Sequence, residues 1–80
     1  MDIPQRPIAL TQLSVMQSAS IVSLPADYLV FRRLAAYGIL PGVKIKLERR
    51  FPAFIIVVGA TRIALDQQMA GGIMVQLANR

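Results

Sequence analysis

From Val43 to Glu48 the chain alternates without a break. Val43, Ile45 and Leu47 share one side of an extended segment, and Lys44, Lys46 and Glu48 share the other. A period of two marks a half-buried strand. Phe54 to Val58 is a continuous apolar run bounded by Pro52 and Gly59, which reads as a second strand buried more completely. Thr61 to Leu65 follows after Gly59-Ala60, two residues suited to a tight hairpin. Ser18 to Leu24 is partly alternating and rich in β-branched residues until Pro25 stops it, and Ile73 to Leu77 closes the chain as a fifth strand.

Between the Ser18–Leu24 and Val43–Glu48 strands the period changes. Val30, Leu34 and Tyr37 fall at helical spacing with Phe31 beside them, which predicts a helix over about Tyr28 to Tyr37 with these residues as its buried stripe. Asp27 is placed to cap its start and Gly38 to end it in a left-handed conformation. Pro41-Gly42 then fits the middle of a type II turn. Asp66 caps a shorter helical turn, Gln67 to Ala70, that Gly71-Gly72 terminates. Leu10 and Leu13, three residues apart, anchor one more apolar turn near the start. The expected architecture is mainly β: a small, partly open barrel of about five strands, with one inserted helix and a short helical turn before the last strand. Residues 1–7, with Pro4 and Pro7, read as an extended arm, and residues 8–80 as a single domain.

Composition supports this picture and removes most chemistry. A chain of 80 residues makes one domain with a small core, and its 55% hydrophobic content supplies that core without disulfides. Cysteine and histidine are both absent, so the commonest general base, the thiol nucleophile and the usual zinc ligands are missing. The four acidic residues, Asp2, Asp27, Glu48 and Asp66, are widely spaced, and two of them already serve as helix caps. No phosphate-binding glycine loop occurs, because Gly71-Gly72 has no Lys-Ser/Thr sequel. No catalytic, cofactor-binding or metal-ligating residue is therefore assigned, and the chain is expected not to be an enzyme. No stretch is long and apolar enough to span a bilayer and no export signal is visible, so a cytoplasmic protein is expected.

The net charge of +5 is concentrated in the middle of the chain. Arg32, Arg33, Lys44, Lys46, Arg49 and Arg50 outweigh Asp27 and Glu48 there. Such a basic stretch suits an acidic partner surface or a phosphate backbone, or it serves solubility alone.

The motifs resemble a known family. Arg33-Leu34-Ala35-Ala36-Tyr37-Gly38-Ile39-Leu40-Pro41-Gly42, followed by Val43, Ile45 and Leu47, is similar to the Arg-Leu-x-x-Leu/Met-Gly-Leu/Ile-x-Pro-Gly-x-x-Val/Ile stretch of the ferrous iron transport protein A (FeoA) family. Gly59-Ala60-Thr61-Arg62-Ile63-Ala64-Leu65, with Ala70, Ile73 and Val75, resembles that family's ending, and Leu10-Thr11-Gln12-Leu13 and Ile21-Val22 also fit. The matching Gly38, Pro41, Gly42 and Gly59 are fold residues rather than site residues. Two features depart from the family pattern. Gln17 stands where a glycine is usual in the turn before the first long strand, and the Phe51–Phe54 segment is shorter than the usual Gly/Asp-containing loop.

The resemblance implies an SH3-like barrel and a small cytoplasmic accessory protein that acts on the FeoB-type ferrous iron transporter. That transporter carries a cytosolic GTP-binding domain, and the accessory protein would be peripheral to the membrane through it. Ferrous iron binding by this chain, if the family property carries over, would be weak. Two alternatives stand beside this expectation. One is a basic SH3-like module that binds nucleic acid through residues 32–33 and 44–50. The other is a detached counterpart of the carboxy-terminal domain of iron- and manganese-dependent repressors; the lack of a preceding winged-helix region favours the stand-alone form. Oligomerisation is open.

The expected contact surface combines Arg32, Arg33, Lys44, Lys46, Arg49 and Arg50 with Tyr37, Leu40, Phe51 and Phe54, an apolar patch rimmed by cations. Tyr37 and Phe54 are equally readable as core.

Overall fold

The computed structural model describes residues 6–77. Most of the expected arm, residues 1–5, and the last three residues of the expected domain lie outside the described residues. Six strands form one antiparallel sheet: β1 (Ile8–Ala9), β2 (Ser18–Ser23), β3 (Lys44–Arg49), β4 (Phe54–Val58), β5 (Thr61–Leu65) and β6 (Met74–Leu77). Their spatial order is β1-β6-β2-β3-β4-β5. A 3-10 turn (Leu10–Gln12) follows β1, helix α1 (Tyr28–Ala36) joins β2 to β3, and helix α2 (Gln67–Gly71) joins β5 to β6.

One correction to the sequence expectation follows. The strands number six rather than about five, because Ile8 and Ala9 pair with Val75 and Met74. A two-residue strand carries no period, so its pattern was invisible. The barrel is open, as expected: β1 and β5 are the two edges of the sheet and do not pair with each other. The side between them is covered by packing, with the 3-10 turn lying against α2.

Inward-facing residues alternate as the sequence predicts. Ala19 and Ile21 from β2, Ile45 and Leu47 from β3, Phe54 and Ile56 from β4, Ile63 and Leu65 from β5 and Val75 from β6 are all buried. Leu10, Leu13, Leu34, Ile39, Ala70 and Ile73 complete one core from the turns and helices. The β4–β5 hairpin has the expected two-residue turn, with Gly59 at φ +60° and Val58 paired to Thr61.

The exit from α1 explains one error of the sequence reading. Ile39 N–H donates to Leu34 O (3.0 Å) and Gly38 N–H to Ala35 O (2.9 Å), the paired bonds of a Schellman cap. The reversal at Gly38 swings Ile39, not Tyr37, onto Leu34. Ile39 and Leu34 are fully buried, whereas Tyr37 is 51% exposed and Phe31 also faces solvent. The helix itself ends at Ala36, one residue short of the expected boundary. Val43 N–H then donates to Leu40 O (3.1 Å), closing the expected Pro41-Gly42 turn. Gly42 sits at φ +91°, a conformation that any Cβ would strain.

Candidate partner-binding surface

The positioning of the candidate residues begins with a fault in the β3–β4 pairing. Leu47 pairs with Ile56, but the next pair is Arg49 with Ile55, so Glu48 is an extra residue on β3. Such a bulge puts two consecutive side chains on one side and shifts the alternation beyond it. Glu48 and Arg49 therefore both face outward, and Arg50, though exposed, reaches back toward the segment after β1. Its Nη1 donates to Thr11 O (2.9 Å) and to Leu13 O (2.6 Å), and its guanidinium lies 5.5 Å from the centre of the Phe54 ring. Arg50 thus ties the segment after β1 to the start of β4. It is a structural clamp, and Phe54, at 8% exposure, is core. Phe54 therefore takes the core alternative, while Arg50, still exposed, is committed to the fold by its main-chain bonds.

The remaining candidates separate into three groups. Lys44, Lys46 and Arg49 project from the outer side of β3, where Lys46 is half-buried and the other two are exposed. Arg62 of β5 joins them and holds Glu48 through Nε–Oε1 at 2.7 Å. The hydrogen bond from Arg62 lowers the Glu48 pKa below its ordinary 4.5, helped by the charges of Arg62, Lys46 and Arg49. The same bond raises the Arg62 pKa. Phe51, 84% exposed, stands alone at a loop tip.

The third group is α1. Asp27 Oδ1 accepts from Leu29 N–H (2.9 Å) and Val30 N–H (3.2 Å), so the helix starts where the sequence places it. Leu34 and half-buried Val30 face the core. At about 100° per residue, Leu29 and Tyr28 fall roughly 140° and 120° from Leu34, on the solvent side. They are 72% and 68% exposed. Arg32 and Arg33 share that face, with the Arg32 guanidinium 5.8 Å from the Tyr28 ring centre. Tyr37 and Leu40, also exposed, continue the apolar surface past the helix end. Sequence reasoning missed Tyr28 and Leu29, although the spacing from Leu34 contains the signal. Beside this face, a hollow of about 360 Å³ between α1 and α2 is lined by Pro25, Val30, Arg33 and Met69 together with Asp27 and Asp66. Both aspartates act as helix caps, Asp66 Oδ1 accepting from Met69 N–H at 2.7 Å.

Among the described residues no three His, Cys, Asp or Glu side chains gather where they could hold a metal. No helix among them is long and apolar enough to cross a membrane.

The sequence profile of the FeoA domain matches residues 8–77, nearly the whole chain. The chain belongs to the FeoA domain family. No curated protein matches it. Among solved structures, FeoA from Chlorobium tepidum is 25% identical with a TM-score of 0.84, over 90% of this chain and 71% of that one. FeoA from Stenotrophomonas maltophilia, solved with zinc and described as a prokaryotic SH3 domain protein, is 26% identical with a TM-score of 0.76, over 86% and 89%. IdeR from T. acidophilum shares the fold at 24% identity and a TM-score of 0.86, but the chain spans only 37% of it. The same fold thus stands both as a small protein and as part of a longer chain. The architecture is SH3-like, and the family is associated with iron transport.

Proposed function

We propose that this FeoA protein is a non-catalytic accessory or regulatory component of ferrous iron uptake, acting in the cytoplasm by contact with the cytosolic part of an FeoB-type transporter. The observation that carries the reading is the FeoA match over residues 8–77. The side chains support it. The three described carboxylates are two helix caps and one ion-pair partner, which leaves no general acid–base pair. The exposed face of α1 supplies an apolar centre, Tyr28 and Leu29, flanked by arginines, a composition enriched among residues that dominate binding energies.

The test measures GTP hydrolysis by the transporter's cytosolic domain with and without this protein, alongside direct association. Association is expected, with a changed hydrolysis rate. Leu29→Asp combined with Arg33→Glu is expected to weaken it by roughly 2–3 kcal/mol. Neither side chain is in the core, so the fold survives. Absence of both association and any rate effect refutes the reading.

The basic outer side of β3 and β5 favours one second reading, a nucleic-acid-binding module. It requires binding that falls steeply with salt as phosphate contacts release counterions. A flat or absent binding curve excludes it.

A further inference from the structure

Two loops leave the sheet at the same end. Met16 N–H donates to Leu47 O (2.6 Å) and Leu47 N–H to Gln17 O (3.0 Å), so the Ser14–Gln17 turn runs beside the end of β3. The Arg50 bonds to Thr11 and Leu13 hold the start of the next loop against the same segment. Val15 and Met16 are exposed on the first loop and Phe51 on the second. Helix α1 is inserted at the other end of the β2–β3 pair, between Ser23 and Lys44, so these exposed apolar residues are separate from the helix face.

The turn residues themselves point to a role. Gln17 N–H donates to Ser14 O (3.0 Å) and Ser14 N–H to Gln17 Oε1 (2.9 Å), closing a turn that uses the Met16 backbone at its positive-φ third position but not the Met16 side chain. Yet Met16 holds φ +73°, a conformation natural to glycine and strained for a side chain. Neither the core nor the turn needs a long apolar side chain there. Strain kept at an exposed residue is the pattern of a contact position.

Charge names the complement. Arg49 is exposed two residues from Phe51, and Lys46 projects from the same side of β3. Glu48 is engaged by Arg62, and Asp27 and Asp66 are helix caps, so each described carboxylate already has a partner. An anionic surface fits this end. Shape selects its kind. Val15, Met16 and Phe51 are separate tips on two convex loops, and the hollow behind Phe51, about 240 Å³ with Arg50 and Phe54 in its lining, is small. Apolar tips with cations beside them suit a bilayer interface, the apolar groups entering the acyl boundary and the cations lying at headgroup level.

We propose that these two loops are an interfacial anchor: Val15, Met16 and Phe51 enter the headgroup–acyl boundary of an anionic bilayer while Arg49 and Lys46 meet the lipid phosphates. This contact is independent of any transporter.

The test uses the full chain and protein-free vesicles at low salt. Sedimentation with phosphatidylcholine vesicles containing about one third phosphatidylglycerol is expected to exceed that with pure phosphatidylcholine by about fivefold or more. The chain has no tryptophan, so Phe51→Trp gives a single reporter, whose emission should shift to the blue and be quenched by lipids brominated near the headgroup. Met16→Ser with Phe51→Ser should abolish binding while leaving the thermal melt in place. Retained binding in that double variant overturns insertion in favour of charge alone. No sedimentation with either vesicle, or an unshifted reporter, overturns the proposal outright. Sedimentation that grows with protein concentration without vesicles assigns the patch to a second copy of the chain and overturns it equally.

Discussion

Arg50 shows how much one side chain of a small domain carries. One of its nitrogens satisfies two main-chain carbonyls on a segment 37 and 39 residues away in sequence. Hydrogen bonds from a charged donor are each worth about 1.5–3 kcal/mol, and a buried carbonyl left without its donor loses more than the bond. Arg50→Ala is expected to lower unfolding stability by roughly 2–3 kcal/mol, read by urea denaturation. A substitution at Arg50 is therefore a fold variant, not a clean probe of partner contact. Glu48 offers a gentler test. Its pKa lies below 4.5 when folded, so its ion pair stabilises the protein fully above that value and is lost as pH falls through the lowered one. Glu48→Gln should flatten the dependence of Tm on pH below 4.5 and weaken the salt dependence of Tm, because an exposed pair is screened by ions.

At the scale of elements, α1 depends on its ends as much as on its length. Nine residues are too few to stay helical alone, so the Asp27 cap, the Gly38 reversal and the Leu34 contact hold it. Asp27→Ala should cost about 1 kcal/mol, measured by chemical denaturation. Elements like this were legible because their signals are local. Asp27, Gly38, Pro41-Gly42, Gly59 and the run Phe54–Val58 each act on immediate neighbours, and β4 and β5 have the boundaries the sequence suggests. What the sequence hid depends on distant partners. The Glu48 bulge exists only as a mismatch between β3 and β4, and it turns Arg50 toward the Thr11 and Leu13 carbonyls. Likewise, Tyr37 shares the helical period of the core residues, but the cap geometry spends that direction on Ile39. The exposure of the candidate surface was thus mostly readable: Arg32, Arg33, Tyr37, Leu40, Lys44, Arg49 and Phe51 are exposed, whereas Phe54 is buried and the exposed Arg50 is tied to the fold by its main-chain bonds.

The molecule as a whole has little stability to spare. A domain of 80 residues has a net stability of about 5–10 kcal/mol. Leu34 is the one fully buried side chain that α1 contributes to the core. Leu34→Ala should cost roughly 2–5 kcal/mol, enough to bring the protein close to unfolding near 37 °C as followed by circular dichroism. The open sheet has a further consequence for how the protein breathes. Hydrogen-bonded ladders join β2, β3, β4 and β5, but along the side between β1 and β5 no ladder runs, and cohesion there comes from the 3-10 turn, α2 and the Arg50 clamp. That side is a seam, and separating it breaks contacts without unzipping any strand pair of the central sheet. Partial opening along the seam should therefore precede global unfolding. In native-state hydrogen exchange, the amides of Leu13, Met69 and Ala70 should exchange together and sooner than those of Ile45, Leu47 and Ile56, and uniform protection across both groups would show that the seam never opens alone.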